Sequence, residues 1–192
     1  NIASATKLRE MNRNNENIND FIPYKLEDIN CDIPYDISNL DSAIISKLRL
    51  MTAEDLQNIS EVTEGIENRI LSSANMSYSF ETLVENVKNK RYTTSKIRRM
   101  IISALIGFTK DIYSPMPQYI RILGMNKVGM TILKQAKDTC KVPIITKTAD
   151  FKEQSPQFNL DVRATNIAML CNPVPTHRIG NADLKKSPII MK

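Results

Sequence analysis

The stretch that decides how this chain is organised reads Lys88-Asn89-Lys90-Arg91-Tyr92-Thr93-Thr94-Ser95-Lys96-Ile97-Arg98-Arg99, and we call it the basic segment. It holds six basic residues and no acidic residue, whereas the net charge of the whole chain is only +5. The positive charge is therefore concentrated here, and such a cluster is an electrostatic footprint for polyanions, nucleic acids above all. A solvated, charged turn is the alternative interpretation, and both stay open at this point.

The basic segment lies at the junction of two predicted helices. Lys88, Lys90 and Arg91 are predicted to end the first helix, which Ser79 caps. Thr93, Thr94 or Ser95 can cap the second helix, which ends near Gly107 and has its apolar positions at helical spacing: Ile97, Ile101, Ala104, Leu105 and Phe108. Two charged helix ends that meet at Tyr92 can grip phosphates, and the tyrosine ring can stack on a base.

More helices are predicted on the N-terminal side of this junction. One ends near Met51, and one opens at Thr52 with a capping-box pattern. Another has Val62, Ile66, Ile70 and Leu71 at helical spacing, although Gly65 weakens it. Short connections join them into a helical array over residues 39–113. Residues 23–38 contain prolines, Asp and Asn, so they are predicted to form a linker at a domain boundary.

The pattern changes on the C-terminal side, beyond residue 114. Residues 119–123 and 142–146 are predicted strands that flank a helix, which makes a β-α-β unit with parallel strands and a right-handed crossover. Residues 148–159 are predicted to be a loop, residues 161–170 a helix, and residues 189–191 a candidate additional strand in an irregular tail. The predicted fold is therefore mainly α with a small α/β part, or α+β overall.

The first residues form a short predicted helix that Ser4 or Thr6 can cap. A helix N-terminus that carries hydroxyl groups, with Arg9 about one turn further on, can bind a phosphate group. An ordinary capped helix is the alternative. Because the chain opens on Asn1 and not on Met, we expect that the start of a longer protein is missing.

Several kinds of chemistry have no support in the sequence. Cys31, Cys140 and Cys171 are far apart and odd in number, so they indicate neither a disulfide framework nor a zinc site, and they fit a reducing cytoplasm. His177 is the single histidine, so no paired-histidine metal site and no H-x-G-H motif can be built. We therefore expect no catalytic residue and no metal ligand in this chain. The residues alone indicate a helical RNA- or DNA-binding module.

Six short stretches together resemble one family, the bacterial tRNA(Met) cytidine acetate ligases. In chain order they are residues 2–9 (IASATKLR), residues 61–70 (EVTEGIENRI), the basic segment, residues 119–124 (YIRILG), residues 143–146 (PIIT) and residues 161–165 (DVRAT). Each stretch is a weak signal by itself, but their common order covers nearly the whole chain. The chain departs from the family pattern at Lys96, where Arg is more usual, and at Asn166 and Ala168, where Asp and Tyr are more usual.

The resemblance implies a two-step reaction. The complete enzyme would use ATP, with Mg, to convert acetate into acetyl-adenylate, and would then acetylate the wobble cytidine of elongator tRNA(Met). A nucleotidyltransferase domain with an H-x-G-H motif would perform the activation, and residues 1–22 would be its last helix. The remaining chain would be the C-terminal, tRNA-binding part, made of the helical region 39–113 and the α/β region 114–192. That part would hold no cofactor and would not be catalytic by itself.

The resemblance also assigns candidate site residues. The nucleotide-binding candidates are Ser4, Thr6 and Arg9. The tRNA-binding candidates are Lys88, Lys90, Arg91, Tyr92, Lys96, Arg98, Arg99, Arg121 and Arg163. For Arg121 and Arg163, a structural ion pair is an equal alternative. Two other functions stay open, namely a nucleic-acid-binding module without preference for tRNA and a surface for dimerisation or domain packing.

Overall fold

The computed structural model describes residues 4–14, 16–22, 35–63, 65–114, 116–151, 155–185 and 187–191. Within these ranges the helices are α1 (Ala5–Arg13), α2 (Asp41–Arg49), α3 (Ala53–Gln57), α4 (Ile66–Met76), α5 (Phe80–Val87), α6 (Thr94–Ile106), α7 (Lys127–Lys137), α8 (Pro156–Met169) and α9 (Ala182–Lys185). The strands are β1 (Ile120–Arg121), β2 (Gly124–Met125), β3 (Ile144–Ile145) and β4 (Ile189–Ile190). The predicted fold class, mainly α with a small α/β part, is confirmed.

Side-chain caps set the starts of the central helices, as the sequence predicts. Thr52 and Asp55 form a reciprocal capping box at α3, and the hydroxyl of Ser79 accepts a hydrogen bond from the backbone N–H of Thr82 at α5. Thr93 caps α6 by accepting from the N–H of Lys96. Each cap satisfies an N–H group that the first helical turn leaves without a partner. The same helices therefore begin where their local sequence directs.

The hydrophobic core lies among α2, α4, α5 and α6. Its fully buried side chains belong to the apolar positions of these helices and include Ile44, Leu48, Ile70, Leu83, Val87, Ile97 and Met100. The C-terminal end of α8 also joins this core, through Ile167 and the buried Cys171. Two hydrogen bonds to the carbonyl of Cys171, from the N–H of Asp36 and the side chain of Asn39, fix that end of α8 on the helical array.

Two pairs of short parallel strands make up the α/β part. β1 pairs with β3 in parallel, with Ile120 opposite Ile144, and α7 connects them, so the predicted β-α-β unit is confirmed. β2 pairs with β4, also in parallel, with Gly124 opposite Ile189, so the predicted additional strand forms. α7 has an apolar stripe but no buried residue in the part of the chain that the structure describes.

The strands predicted over residues 119–123 and 142–146 are shorter, and the helix predicted from Val62 begins only at Ile66, after Gly65. Two further helix boundaries also differ from the predictions. α8 begins at Pro156, five residues before the predicted start, because Ser155 caps it and proline is well tolerated in a first helical turn. α5 ends at Val87, so Lys88, Lys90 and Arg91 lie in the connection after the helix and not in its last turn. The Ser155-Pro156 pair is the local signal for the earlier start of α8.

The predicted linker lies largely outside the described residues. Of residues 23–38, only 35–38 are described, and Ile37 opens a short 3₁₀ turn that leads into α2. The boundaries of the predicted domains stay predictions. Among the described helices, none combines the length and the apolar character that a membrane span requires.

Candidate nucleic-acid interface

The connection between α5 and α6, residues 88–92, is held in one conformation by two side chains, and we call it the basic turn. The side-chain oxygen of Asn89 accepts hydrogen bonds from the backbone N–H groups of Arg91 at 2.9 Å and Tyr92 at 3.0 Å. Arg69, on α4, donates to the carbonyls of Asn86, Val87 and Lys88, at 3.0, 2.7 and 2.8 Å. The turn therefore presents its lysine and arginine side chains from an ordered backbone.

Tyr92 anchors the turn from inside the protein, which corrects the predicted role of its ring. The residue is only 8% exposed and belongs to the hydrophobic core, and its hydroxyl is 2.5 Å from the hydroxyl of Thr63. Arg91 and Lys96 lie over the ring, at 5.4 and 5.3 Å from its centroid. A ring that is covered in this way cannot stack on a base, so in this structure Tyr92 positions the turn.

Acidic side chains from neighbouring elements neutralise half of the basic segment. Lys88 pairs with Glu85 at 3.5 Å, and Arg98 pairs with Glu81 while its guanidinium lies over the ring of Phe80. Arg99 makes a bidentate pair with Glu61, with N–O distances of 2.9 to 3.1 Å. The remaining cations, Lys90, Arg91 and Lys96, have no ion pair with any residue that the structure describes.

Glu61 has both a lowered carboxyl pKa and an unusual backbone conformation. Hydrogen bonds from Arg99, and then the charges of Arg99 and Lys96, hold the pKa of its carboxyl below the ordinary value. Its backbone has a φ of 65°, in the left-handed region that residues other than glycine rarely adopt. This unusual backbone places the carboxylate next to α6, where the linear sequence gave no sign of a partner for Arg99.

The nucleotide-binding candidates lie on and next to α1, close to α6. Ser4 is the N-cap of α1, and its hydroxyl accepts from the N–H of Lys7 at 3.2 Å. Thr6 and Arg9 line a groove of about 620 Å³ that Arg98 also lines. The structure therefore brings two of the three candidates together with one tRNA-binding candidate.

Carboxylates also line this groove, and the sequence analysis did not find them. They belong to Glu10, Asp36, Asp41 and Glu81. Asp41 accepts a hydrogen bond from the backbone N–H of Phe80 at 2.8 Å, and Glu81 pairs with Arg98. They come from three separate parts of the chain, so no local pattern could have placed all four in one groove.

Arg121 and Arg163 both make structural contacts with other residues of the chain. Arg121 forms a half-buried, bidentate ion pair with Asp183, at 2.6 and 2.7 Å, and this pair raises the pKa of the guanidinium. Arg163 donates to the carbonyl of Ile106 at 3.0 Å and so satisfies the C-terminal end of α6. The ion pair that the sequence left open as an alternative forms at Arg121, whereas Arg163 makes a hydrogen bond to a backbone carbonyl.

A second cleft, of about 670 Å³, lies where α6, β1 and α8 approach one another. Its lining combines aromatic and polar side chains: Phe108, Tyr113, Ser114, Tyr119, Arg121, Leu123, Gln157, Leu160 and Asp161. No pattern in the sequence indicated this cleft, although Tyr119 and Asp161 lie in two of the motifs that carry the family resemblance. Within the described residues, no group of three or more His, Cys, Asp and Glu side chains could hold a metal ion.

A family model and several relatives of known name agree on the family to which this chain is similar. The model of the HIGH nucleotidyl transferase family matches residues 1–183. The tRNA(Met) cytidine acetate ligase of Thermosipho africanus is 32% identical over an alignment of 219 positions, which covers 99% of this chain and 52% of that protein. The ligase of Caldanaerobacter subterraneus is 39% identical over 126 residues, which cover 63% of this chain and 31% of that protein.

Solved structures agree with these relatives. Thermotoga maritima TmcAL bound with alpha-thio ATP superposes with a TM-score of 0.81 at 27% identity, over 99% of this chain and 52% of that one. The apo form of the same protein gives a TM-score of 0.82 at 28% identity, over 98% and 51%. The chain thus spans about half the length of the curated relatives it matches. On the match over residues 1–183, the chain belongs to the HIGH nucleotidyl transferase family, and the relatives it resembles are tRNA(Met) cytidine acetate ligases.

Proposed function

We propose that this chain is the tRNA-binding part of a cytoplasmic tRNA(Met) cytidine acetate ligase. In this proposal the complete enzyme uses ATP and acetate to make acetyl-adenylate, and it transfers the acetyl group to the wobble cytidine of elongator tRNA(Met). The names of the relatives and the ATP analogue bound to TmcAL support this reaction. The contribution of this chain is to hold the tRNA and to border the nucleotide.

The basic turn is the observation that carries the tRNA-binding role. Lys90 and Arg91 are exposed, lack an acidic partner among the described residues and project from a backbone that Asn89 and Arg69 fix. Lys96 extends the same positive surface onto the first turn of α6. Phosphate contacts position a nucleic acid without reading its sequence, and a backbone that is already fixed lowers the entropic cost of making them.

Nucleotide binding is proposed for the groove lined by Thr6, Arg9 and Arg98. A hydroxyl and two guanidinium groups fit the oxygens of a phosphate chain. The carboxylates in the same lining would repel a triphosphate. The proposal therefore includes Mg, which would enter with the ATP and reduce this repulsion. Bound ATP would supply the adenylyl group that activates acetate.

Two alternatives predict different binding behaviour. A nucleic-acid module without tRNA preference would bind unrelated duplex or single-stranded RNA as strongly as tRNA(Met). A surface for dimerisation would give a dimer in light scattering and no RNA binding at low salt.

The test compares two charge reversals in the same chain. The double variant Lys90→Glu/Arg91→Glu removes the unpaired cations of the basic turn, and Lys134→Glu/Lys137→Glu makes the same change of charge on the exposed surface of α7. Binding of tRNA(Met) and of a second tRNA is measured for each protein. We expect at least a tenfold loss of tRNA(Met) affinity for the first variant only. Equal losses for both variants would mean that only the net charge matters, and the assignment of the basic turn would be wrong.

A further inference from the structure

α7 covers one face of the short parallel strands only in part. Ile120 and Ile122, in and after β1, point to the α7 side together with Ile144 of β3. Arg121, between the two isoleucines, points to the other side and pairs with Asp183 of α9. Parallel strands are normally covered by helices on both faces. The structure describes all of α7, and no residue of it is buried, so the helical layer on this face is incomplete.

The uncovered part is an apolar groove of about 450 Å³ between α7 and the strands. Among the described residues, no charged side chain lines it. Ile120, Ile132 and Met191 do line it, and each is at least 40% exposed. Val128, one helical turn before Ile132 and therefore its neighbour on α7, is also exposed. Exposed apolar side chains that gather in this way mark an interaction site.

The shape of this surface fits a second helix. Val128 and Ile132 are four residues apart, so they form a ridge of the kind that packs into a groove on another helix. A helix that lies beside α7 would place its own apolar side chains over the strands. It would thereby complete the helical layer that α7 leaves open.

The charges beside the groove define the chemistry of this helix. Lys127 opens α7 and Lys141 follows its end, and each is next in sequence to a residue that lines the groove. Both lysines are exposed, and neither has an ion pair with any residue that the structure describes. Residues 119–147 contain a single acidic residue, Asp138. A helix with acidic side chains near its two ends is therefore complementary in charge to this surface.

Other occupants fit this surface less well. A second copy of the chain would bring its own lysines to a face that already carries positive charge. A nucleic acid is held through its phosphates, and the apolar lining offers no partner for them. A membrane surface suits an apolar face that protrudes and carries aromatic anchors, whereas this face is concave and no aromatic residue of the described chain lines it.

We propose that this groove binds an acidic amphipathic helix of a separate protein. The apolar side chains of that helix enter the groove and pack against Val128 and Ile132, and its acidic ends pair with Lys127 and Lys141. The groove shares no lining residue with the basic segment or with the groove proposed for the nucleotide. The inference therefore goes beyond the proposed function, and either can fail while the other stands.

The experiment titrates the chain with a fluorescent peptide of about 18 residues, which is long enough to form a helix. The peptide has leucine along one face and glutamate in both end turns. A peptide of the same composition in scrambled order, without an apolar face, is the control. We expect the first peptide to bind about tenfold more tightly than the scrambled one, because only the first can fill the groove. Equal binding of the two peptides, or no binding of either, overturns the proposal.

Apolar substitutions locate the binding site on α7. Val128→Ser/Ile132→Ser removes the apolar ridge at exposed positions and should weaken the peptide about tenfold. Val128→Leu/Ile132→Leu keeps an apolar ridge and should stay within about threefold of the wild type. If the serine variant binds the peptide as the wild type does, the peptide lies elsewhere and the proposal is wrong.

Charge reversal tests the pairing with the acidic ends. Lys127→Glu/Lys141→Glu should weaken the acidic peptide and bind more tightly a peptide with lysine in place of glutamate, a gain that damage to the fold cannot produce. Lys134→Glu/Lys137→Glu makes the same change of charge on the side of α7 that faces away from Ile132, and should alter binding by less than about twofold. Equal losses for the two variants would mean that only the net charge acts, which contradicts the proposal.

The other occupants are tested in parallel. A dimer in light scattering that Val128→Ser/Ile132→Ser abolishes would assign the face to a second copy. Vesicles of phosphatidylserine and phosphatidylcholine that bind more tightly than the peptide would assign it to a membrane surface, and tRNA(Met) that displaces the peptide would assign it to RNA. If the complete enzyme of the proposed function does not bind a peptide that this chain binds, its own residues cover the face. Each of these results overturns the proposal of a separate partner.

Discussion

Tyr92 decides whether the basic turn keeps its shape, because its ring is buried in the core and its hydroxyl meets Thr63. Tyr92→Phe removes one hydrogen bond and should lower the free energy of unfolding by about 1 kcal/mol. Tyr92→Ala also leaves a cavity and should cost about 3–5 kcal/mol. We expect the RNA affinity of the folded Tyr92→Phe protein to stay within twofold of the wild type, as measured by chemical denaturation and RNA titration. A folded Tyr92→Phe protein that has lost RNA binding would show a direct role for the hydroxyl.

Glu61 combines a left-handed backbone with an ion pair, and two substitutions separate these features. Both Glu61→Gly and Glu61→Gln remove the carboxylate, but only glycine relieves the backbone. The glycine variant should therefore be more stable than the glutamine variant by about 1 kcal/mol. Denaturation midpoints at pH 7 measure this difference, and equal midpoints would contradict it.

The same pair gives a pH dependence of known sign. The pKa of Glu61 is lower in the folded chain than its ordinary value, so the pair stabilises the fold above that ordinary value. This contribution is lost as the pH falls through the folded pKa. The stability difference between the wild type and Glu61→Gln should accordingly be constant near neutral pH and shrink in acid.

At the scale of elements, the joint between α5 and α6 depends on Arg69, which donates to three carbonyls at the end of α5. Arg69→Met should lower the free energy of unfolding by about 2 kcal/mol, since these are hydrogen bonds from a charged donor. It should also weaken RNA binding, because the basic turn loses its support. Arg49 is a matched control, since it donates in the same way to the carbonyls of Ala74 and Ser77 at the end of α4. Arg49→Met should cost similar stability and leave RNA binding unchanged.

Local sequence predicts these elements well where one side chain caps a helix. Three helix starts are marked by a hydroxyl side chain that accepts from the backbone N–H three residues further on: Thr52, Ser79 and Thr93. The predicted start of α8 lies too late in the chain. Its first turn reads as a loop unless Ser155-Pro156 is recognised as a helix start. The ends of helices that tertiary contacts fix, such as the end of α5 beneath Arg69, carry no comparable local signal.

For the whole molecule, the charge balance of the RNA-binding surface depends on residues far apart in sequence. Glu61, Glu81 and Glu85 come from different elements and neutralise half of the basic segment, so a count of its six cations overestimates the charge it offers. The three other cations predict a slope of log affinity against log salt of about −2 to −3, whereas six would give about −4 to −5. A salt series with tRNA(Met) measures the slope. A value near −5 would mean that RNA displaces the acids from their partners.

Sites built from neighbouring residues can be predicted from the sequence, whereas sites built from distant segments cannot. The basic turn was visible because its cations are consecutive in the chain. The cleft between α6 and α8 was not, because Phe108, Tyr119 and Asp161 meet only after α8 has docked on the helical core. Pairing of distant segments is decided by the whole fold and not by any window of the sequence.

The pairing of β2 with β4 has a consequence for how this chain folds. The helical core from α2 to α6 is made by segments that follow one another closely, whereas β4 must find Gly124 and Met125 across some sixty residues. Closing so long a loop carries a large entropic cost that the two hydrogen bonds of Ile189 and Met191 repay only after α7 and α8 are in place. The helical core should therefore be the nucleus of folding. The strand pair should form last and be the first structure to open again when the chain fluctuates.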